Sequence, residues 1–218
     1  MSNVTIKGPA PRAMLRALKQ CIYDCQEMPL AANAINNLTF FQNPIGGALP
    51  VTGTVKTLAE TNLNSSSSLG VPQEFDMFGI SSQFHWAGGI YDAAGAVDPN
   101  DCLDDLTVMY STSVFKFFFG QQTAWLTIPY SKIPSGQYFA TGPFTAGLNT
   151  DNGFHISNGE SKNSEFYKML ANDKQISIGS AETFSARIEW PIAPVGLSAD
   201  GEDSRVYMKL IGVLYAAL

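Results

Sequence analysis

The sequence predicts an all-β protein, an antiparallel sandwich of eight strands behind one N-terminal helix, and three observations lead there. Short runs rich in β-branched and aromatic residues recur from residue 38 to the C-terminal end. Turn signals separate them, among them Asn43-Pro44, Gly46-Gly47, Gly120-Gln121, Pro134-Ser135-Gly136, Asn152-Gly153 and Asp200-Gly201. Helical patterns interrupt the strands instead of alternating with each of them, which argues against a parallel α/β sheet.

The first segment differs in kind from the rest. Pro11 suits a first helical turn, and Met14, Leu15, Leu18, Cys21, Ile22 and Cys25 recur at three- and four-residue steps. That spacing predicts one amphipathic helix of about four turns. Lys7, Arg12, Arg16 and Lys19 all precede the first acid, Asp24, so the chain is a small basic head on an acidic body. We divide it into a basic helix and arm, 1–35, and a sandwich domain, 36–218.

After Pro29 the period becomes that of strands. The predicted strands are 38–41, 53–58, 74–84, 114–119, 124–130, 175–179, 183–190 and 205–215. The alternation is cleanest in 183–190, where Phe184, Ala186, Ile188 and Trp190 share one face and Ser185, Arg187 and Glu189 the other. Phe117, Phe118 and Phe119 are consecutive, so they must point to both faces of their strand, which predicts cover on both sides. Asp98 as N-cap, Pro99 in the first turn and Leu103, Leu106, Val108 and Met109 behind them predict one inserted helix, and 164–170 a second, shorter one. Residues 62–70, rich in Asn and Ser, read as a surface loop. Eight strands with long, uneven connections is the count of a single jelly roll. An immunoglobulin-like sandwich would be shorter and more evenly punctuated.

The composition narrows the function. The 218 residues carry a formal net charge of −6, and only 15% are charged. Ordinary domains carry about 25%, so this surface reads as one partly covered by neighbours. No apolar run approaches the roughly 20 residues of a membrane helix, and the N-terminal residues lack a secretory pattern. Cys21, Cys25 and Cys102 are odd in number, and the pair four residues apart falls on the predicted helix, which argues against a disulfide framework.

No catalytic chemistry emerges. His85, between Phe84 and Trp86, reads as structural and His155 as a loop residue, and two histidines so far apart do not supply the cluster a cupin-type metal site needs. The acids at 98, 101, 104 and 105 suit a first helical turn, and those at 200, 202 and 203 a turn, in preference to calcium. No phosphate-binding glycine loop is present, and the acidic body would repel nucleic acid. We expect no catalytic residue, metal, cofactor or small-molecule substrate. Phe118, Trp86 and Trp125 remain as candidate interface or binding aromatics.

The run Phe117-Phe118-Phe119-Gly120 into Trp125-Leu126-Thr127-Ile128-Pro129-Tyr130 and Ile133-Pro134-Ser135-Gly136, with Phe184-Ser185-Ala186-Arg187-Ile188-Glu189-Trp190-Pro191 and Lys209-Leu210-Ile211-Gly212-Val213-Leu214-Tyr215, resembles coat proteins of tailless icosahedral bacteriophages. The resemblance is one of pattern and order over residues 53–218. It implies a jelly-roll capsid subunit that is made in the host cytoplasm and assembles with itself, and with other coat proteins, through trimers, pentamers or hexamers into the shell of a virion. It implies in addition a contact with an internal membrane or genome, for which Lys7, Arg12, Arg16 and Lys19 are the candidates; the same arm could instead clamp a neighbouring subunit. The alternative is a sugar- or receptor-binding sandwich, which exposed Trp86 and Trp125 would favour.

Overall fold

The computed structural model describes residues 15–85, 99–120, 124–133, 176–180, 182–198 and 203–217. Among them lie eight strands: β1 (Leu15–Glu27), β2 (Asn37–Phe40), β3 (Glu74–His85), β4 (Val114–Phe119), β5 (Ala124–Pro129), β6 (Ile176–Ile178), β7 (Phe184–Glu189) and β8 (Arg205–Ala217). One helix, α1 (Pro99–Ser111), stands between β3 and β4. The strands form two four-stranded antiparallel sheets, ordered β1-β8-β3-β6 and β2-β7-β4-β5.

The core fills the space between the sheets, and alternation decides what enters it. In β7, Phe184, Ala186 and Ile188 are buried while Ser185, Arg187 and Glu189 stay partly exposed, as the sequence pattern predicts. The buried set continues with Phe115 and Phe117 from β4, Phe75, Met77 and Ile80 from β3, and Val206, Met208 and Leu210 from β8. Each fully buried aromatic or aliphatic side chain contributes about 1.5–3 kcal/mol of transfer free energy. The three consecutive phenylalanines divide as alternation requires. Phe117 is fully buried and Phe119 packs against the same core, while Phe118 lies half-buried on the opposite face.

Helix α1 follows the expected pattern, with Pro99 in its first turn and Leu106 and Met109 buried. It is fastened at its middle and near its C-terminal end. Asp105 accepts hydrogen bonds from the Ser198 N–H and hydroxyl, both at 2.8 Å, and Tyr110 stacks on Tyr130 at 5.0 Å between ring centroids. Tyr130 in turn shares a 2.7 Å hydrogen bond with Ser82 of β3. The Asp98 cap and the second inserted helix, 164–170, fall outside the described residues.

Two expectations are corrected. The segment from Leu15 is no helix: Leu15–Glu27 is a strand, paired with β8 from Leu15 opposite Ala217 to Glu27 opposite Arg205. The four-residue steps from Leu18 to Ile22 and from Cys21 to Cys25 are also two strand periods, so both conformations keep those pairs on one face. The thirteen-residue partner strand decides the matter, because tertiary pairing outweighs the few tenths of a kcal/mol per residue of helix propensity. Within the 1–35 arm, Leu15–Glu27 is therefore a strand of the sandwich, followed by a short 3-10 turn, Ala31–Asn33. The second correction concerns 53–58, which forms no strand and contributes a single bridge between Ala48 and Val55. Gly53 adopts the left-handed conformation, and Val55 and Leu58 point into solvent.

Gly212 lies in β8 where its partner β3 shifts register between Met77 and Gly79. A Cβ there would press on the Asp76 carbonyl oxygen and the Phe75 ring. Gly212→Ala is expected to destabilise the protein by about 1–3 kcal/mol as overpacking, read as a lower urea midpoint at unchanged slope; a variant as stable as the parent would contradict this packing.

Candidate functional site

The connection between β2 and β3, residues 41–73, is far longer than the roughly 12–15 residues beyond which loops are usually functional. It is bound along the outer edge of β1. Asp24, on the face of β1 that also carries core residue Ile22, meets the Lys56 ammonium at 2.6 Å, and neither side chain has any exposure. The Phe41 N–H donates to the other carboxylate oxygen at 2.6 Å. Burial raises the Asp24 carboxyl above its ordinary value; Lys56 and the Phe41 N–H pull the other way without cancelling it.

Further fastenings flank this pair. Glu27, buried at the end of β1, accepts from the Thr52 N–H at 2.9 Å and its hydroxyl at 2.7 Å. The Tyr23 hydroxyl donates to the Leu58 carbonyl at 2.5 Å. Asn62 imitates a neighbouring strand, since its side-chain oxygen accepts the Tyr23 N–H at 2.9 Å and its amide donates to the Cys21 carbonyl at 2.8 Å. Arg205 of β8 holds Glu60 at 3.1 Å. Burial opposes the charge of Glu60, but hydrogen bonds from the Thr57 hydroxyl and N–H and from Arg205 outweigh it and hold the carboxyl below the glutamate range. An open cleft of about 380 Å³ lies beside this strap, lined among others by Gln26, Glu27, Asn37, Thr39, Gln42 and Asn43.

The outward face of the second sheet carries the other concentration of charge and aromatics. Glu189 accepts from Lys116 at 2.5 Å and from Arg187 at 3.4 Å, and the Arg187 guanidinium lies 5.2 Å from the centre of the Phe118 ring. Trp125 sits on the edge strand β5, where the register shifts opposite Phe117 and Phe118, and is 45% exposed. Arginine and tryptophan are the residue types that most often anchor protein interfaces.

The predicted site residues are thus dispersed. Arg16 and Lys19 are exposed on β1, but an odd separation along a strand puts them on opposite faces, whereas a helix would have grouped them. Phe118 is half-buried beneath Arg187, and Trp125 is exposed. Lys7, Arg12 and Trp86 lie outside the described residues. The residues that sequence reasoning missed are Asp24, Glu27, Lys56, Thr52 and Asn62, whose partners in these contacts are 17 to 41 positions away. Among the described residues no three of His, Cys, Asp and Glu gather as metal ligands, and no helix is long and apolar enough to cross a membrane. The chain matches no protein-family model, no curated protein and no solved structure.

Asp24→Asn leaves the buried Lys56 ammonium without its counter-charge and is expected to cost about 3–5 kcal/mol of stability. The double variant Asp24→Asn, Lys56→Met removes the charge as well and is expected to recover part of that loss; urea denaturation of the three proteins checks both statements, and a single variant no weaker than the double one would contradict them.

Glu60 and Glu189 are both held below their ordinary value of 4.5; at Glu189 burial is outweighed by Lys116 first and Arg187 second. A carboxylate with a lowered folded-state pKa contributes stability that is present above its ordinary value and lost as pH falls through the lowered one. Stability should therefore decline as the pH falls below about 4.5, and Glu60→Gln with Glu189→Gln should flatten that decline; an unchanged pH slope in thermal melts would refute the assignment.

Proposed function

We propose that this chain is a structural coat subunit, a single jelly roll that assembles with itself into a closed icosahedral shell. The observation that carries the reading is the strand order. Each strand of the first half pairs with its mirror image in the second, β1 with β8, β2 with β7, β3 with β6 and β4 with β5. Successive strands along each half alternate between the two sheets until β4 and β5, which are neighbours. That order supports reading the chain path as a long hairpin rolled over a sandwich, the winding of a jelly roll, a fold found in viral capsid proteins, lectins and cupins.

Among those three uses the coat protein fits best. The low charge content, the exposed Trp125, and the Arg187 and Phe118 pair beside it suit a surface that neighbours cover. Its partners are copies of itself in trimers, pentamers or hexamers, other coat proteins, and, through Lys7, Arg12, Arg16 and Lys19, an internal membrane, the genome or the acidic body of a neighbour in the virion. Fold alone does not assign function. The second reading, a sugar- or receptor-binding module, is favoured by exposed Trp125 and by the amide-lined cleft, and a glycan array discriminates it.

Truncation tests the coat-protein reading and the role of the head. A chain lacking residues 1–14 retains β1 and is expected to fold without forming stable shells in negative-stain electron microscopy, whereas the full chain forms them. A chain lacking residues 1–30 loses β1, strips β8 of one partner and leaves Lys56 unpaired, and is expected not to fold. Shells unaffected by the shorter truncation would remove the basic head from assembly, and no shells from the full chain would count against the coat-protein reading.

A further inference from the structure

β1 is an outer strand of its sheet, and its hydrogen bonds show which backbone groups face outward. The Tyr23 N–H and C=O and the Cys21 C=O are bonded to residues 61 and 62 of the strap, on the side away from β8. The Met28 N–H, by contrast, reaches the Ser204 carbonyl on the β8 side. In an antiparallel strand this alternation holds along its length, so odd-numbered residues of β1 present N–H and C=O to the free edge and even-numbered ones to β8. Ala17 and Lys19 therefore turn their backbone groups outward. Residues 16–20 are all exposed, and the strap's cover ends at Cys21. Among the described residues nothing bonds the edge of 17–19.

We propose that this edge is a two-fold docking strand, β1 of one copy pairing antiparallel with β1 of a second copy about an axis through Leu18. The occupant follows from self-complementarity, which an isologous contact requires. In this register Ala17 of one copy faces Lys19 of the other. Both are odd-numbered, so their outward N–H and C=O groups meet as a hydrogen-bonded pair, repeated on the other side of the axis. Leu18, an apolar side chain 39% exposed, meets its own mate in the closer, non-hydrogen-bonded position. Arg16 faces Gln20, so no cation stands directly opposite another, whereas an axis at Lys19 would set ammonium against ammonium. The ladder closes where it must: the next pair would need the Cys21 carbonyl, which Asn62 already occupies. The two sheets become one continuous sheet across the axis. The inference rests on the geometry of β1 and not on the coat-protein reading; its readout is a dimer, not a shell.

Cross-linking of the full chain tests it. In a Cys21→Ser background, Leu18→Cys is expected to form a disulfide-linked dimer under mild oxidation, seen on a non-reducing gel. Gln20→Cys faces Arg16 of the second copy and lies roughly 13 Å along the strand from its own mate, so it should not cross-link. Lys19→Pro removes an outward N–H without touching the β8 ladder, as edge strands tolerate. It is expected to weaken dimerisation about tenfold or more by light scattering, with an unchanged circular dichroism spectrum. No cross-link at residue 18, equal cross-linking at 18 and 20, or a folded Lys19→Pro chain that dimerises as well as the parent would each overturn the proposal.

Discussion

The pairing of the first described strand with the last is the constraint on which the rest of the molecule depends. β8 lies inside its sheet, between β1 and β3, and pairs with both along its length. Among the described residues no contact is less local than Leu15 opposite Ala217, and closing such a loop opposes folding before any burial repays it. The buried Asp24 and Lys56 pair then fixes the register from the other side. It ties the strap to β1 at one carboxylate, which also takes the Phe41 N–H at the end of β2, so β1, β2 and the strap meet at one carboxylate. A buried ion pair adds little net stability, because desolvating both charges offsets their attraction, but its geometry is demanding and few alternative registers satisfy it.

Much of the sandwich was legible in the sequence because alternation is a local signal. β3 to β5, β7 and β8 lie where hydrophobic period and turn residues place them, and α1 where Pro99 and its apolar face do. β6 is present in shortened form. The misreading of β1 has a definite cause: its informative pairs are four residues apart, a distance that both a helix and a strand honour, and its partner lies at the far end of the chain. The region 53–58 failed for the opposite reason. Its pattern is strand-like, yet its backbone bonds to the nearby residues 46–49 and it pairs with no strand of either sheet, and Lys56 turns inward to a carboxylate that no local rule could identify.

The candidate surfaces were legible only in part. Phe118 and Trp125 were found as aromatics on strands, since exposed or doubly covered aromatics stand out in an alternating pattern. The basic residues were grouped by an assumed helix, and with β1 extended Arg16 and Lys19 separate to opposite faces. The strap and its five polar anchors were invisible because side chains such as Asn62, standing in for a strand, have meaning only once the edge they cover is known. Natural sheets protect their edges with charge, short strands or covering loops; on β1 the strap covers the edge from Cys21 onward and leaves residues 17–19 open.

The central proposal, that the sandwich packs against copies of itself, is tested most directly by light scattering of the purified chain across a concentration series. The account predicts discrete oligomers or closed particles that grow with concentration. A 23.5 kDa monomer that persists at the highest concentration would contradict it.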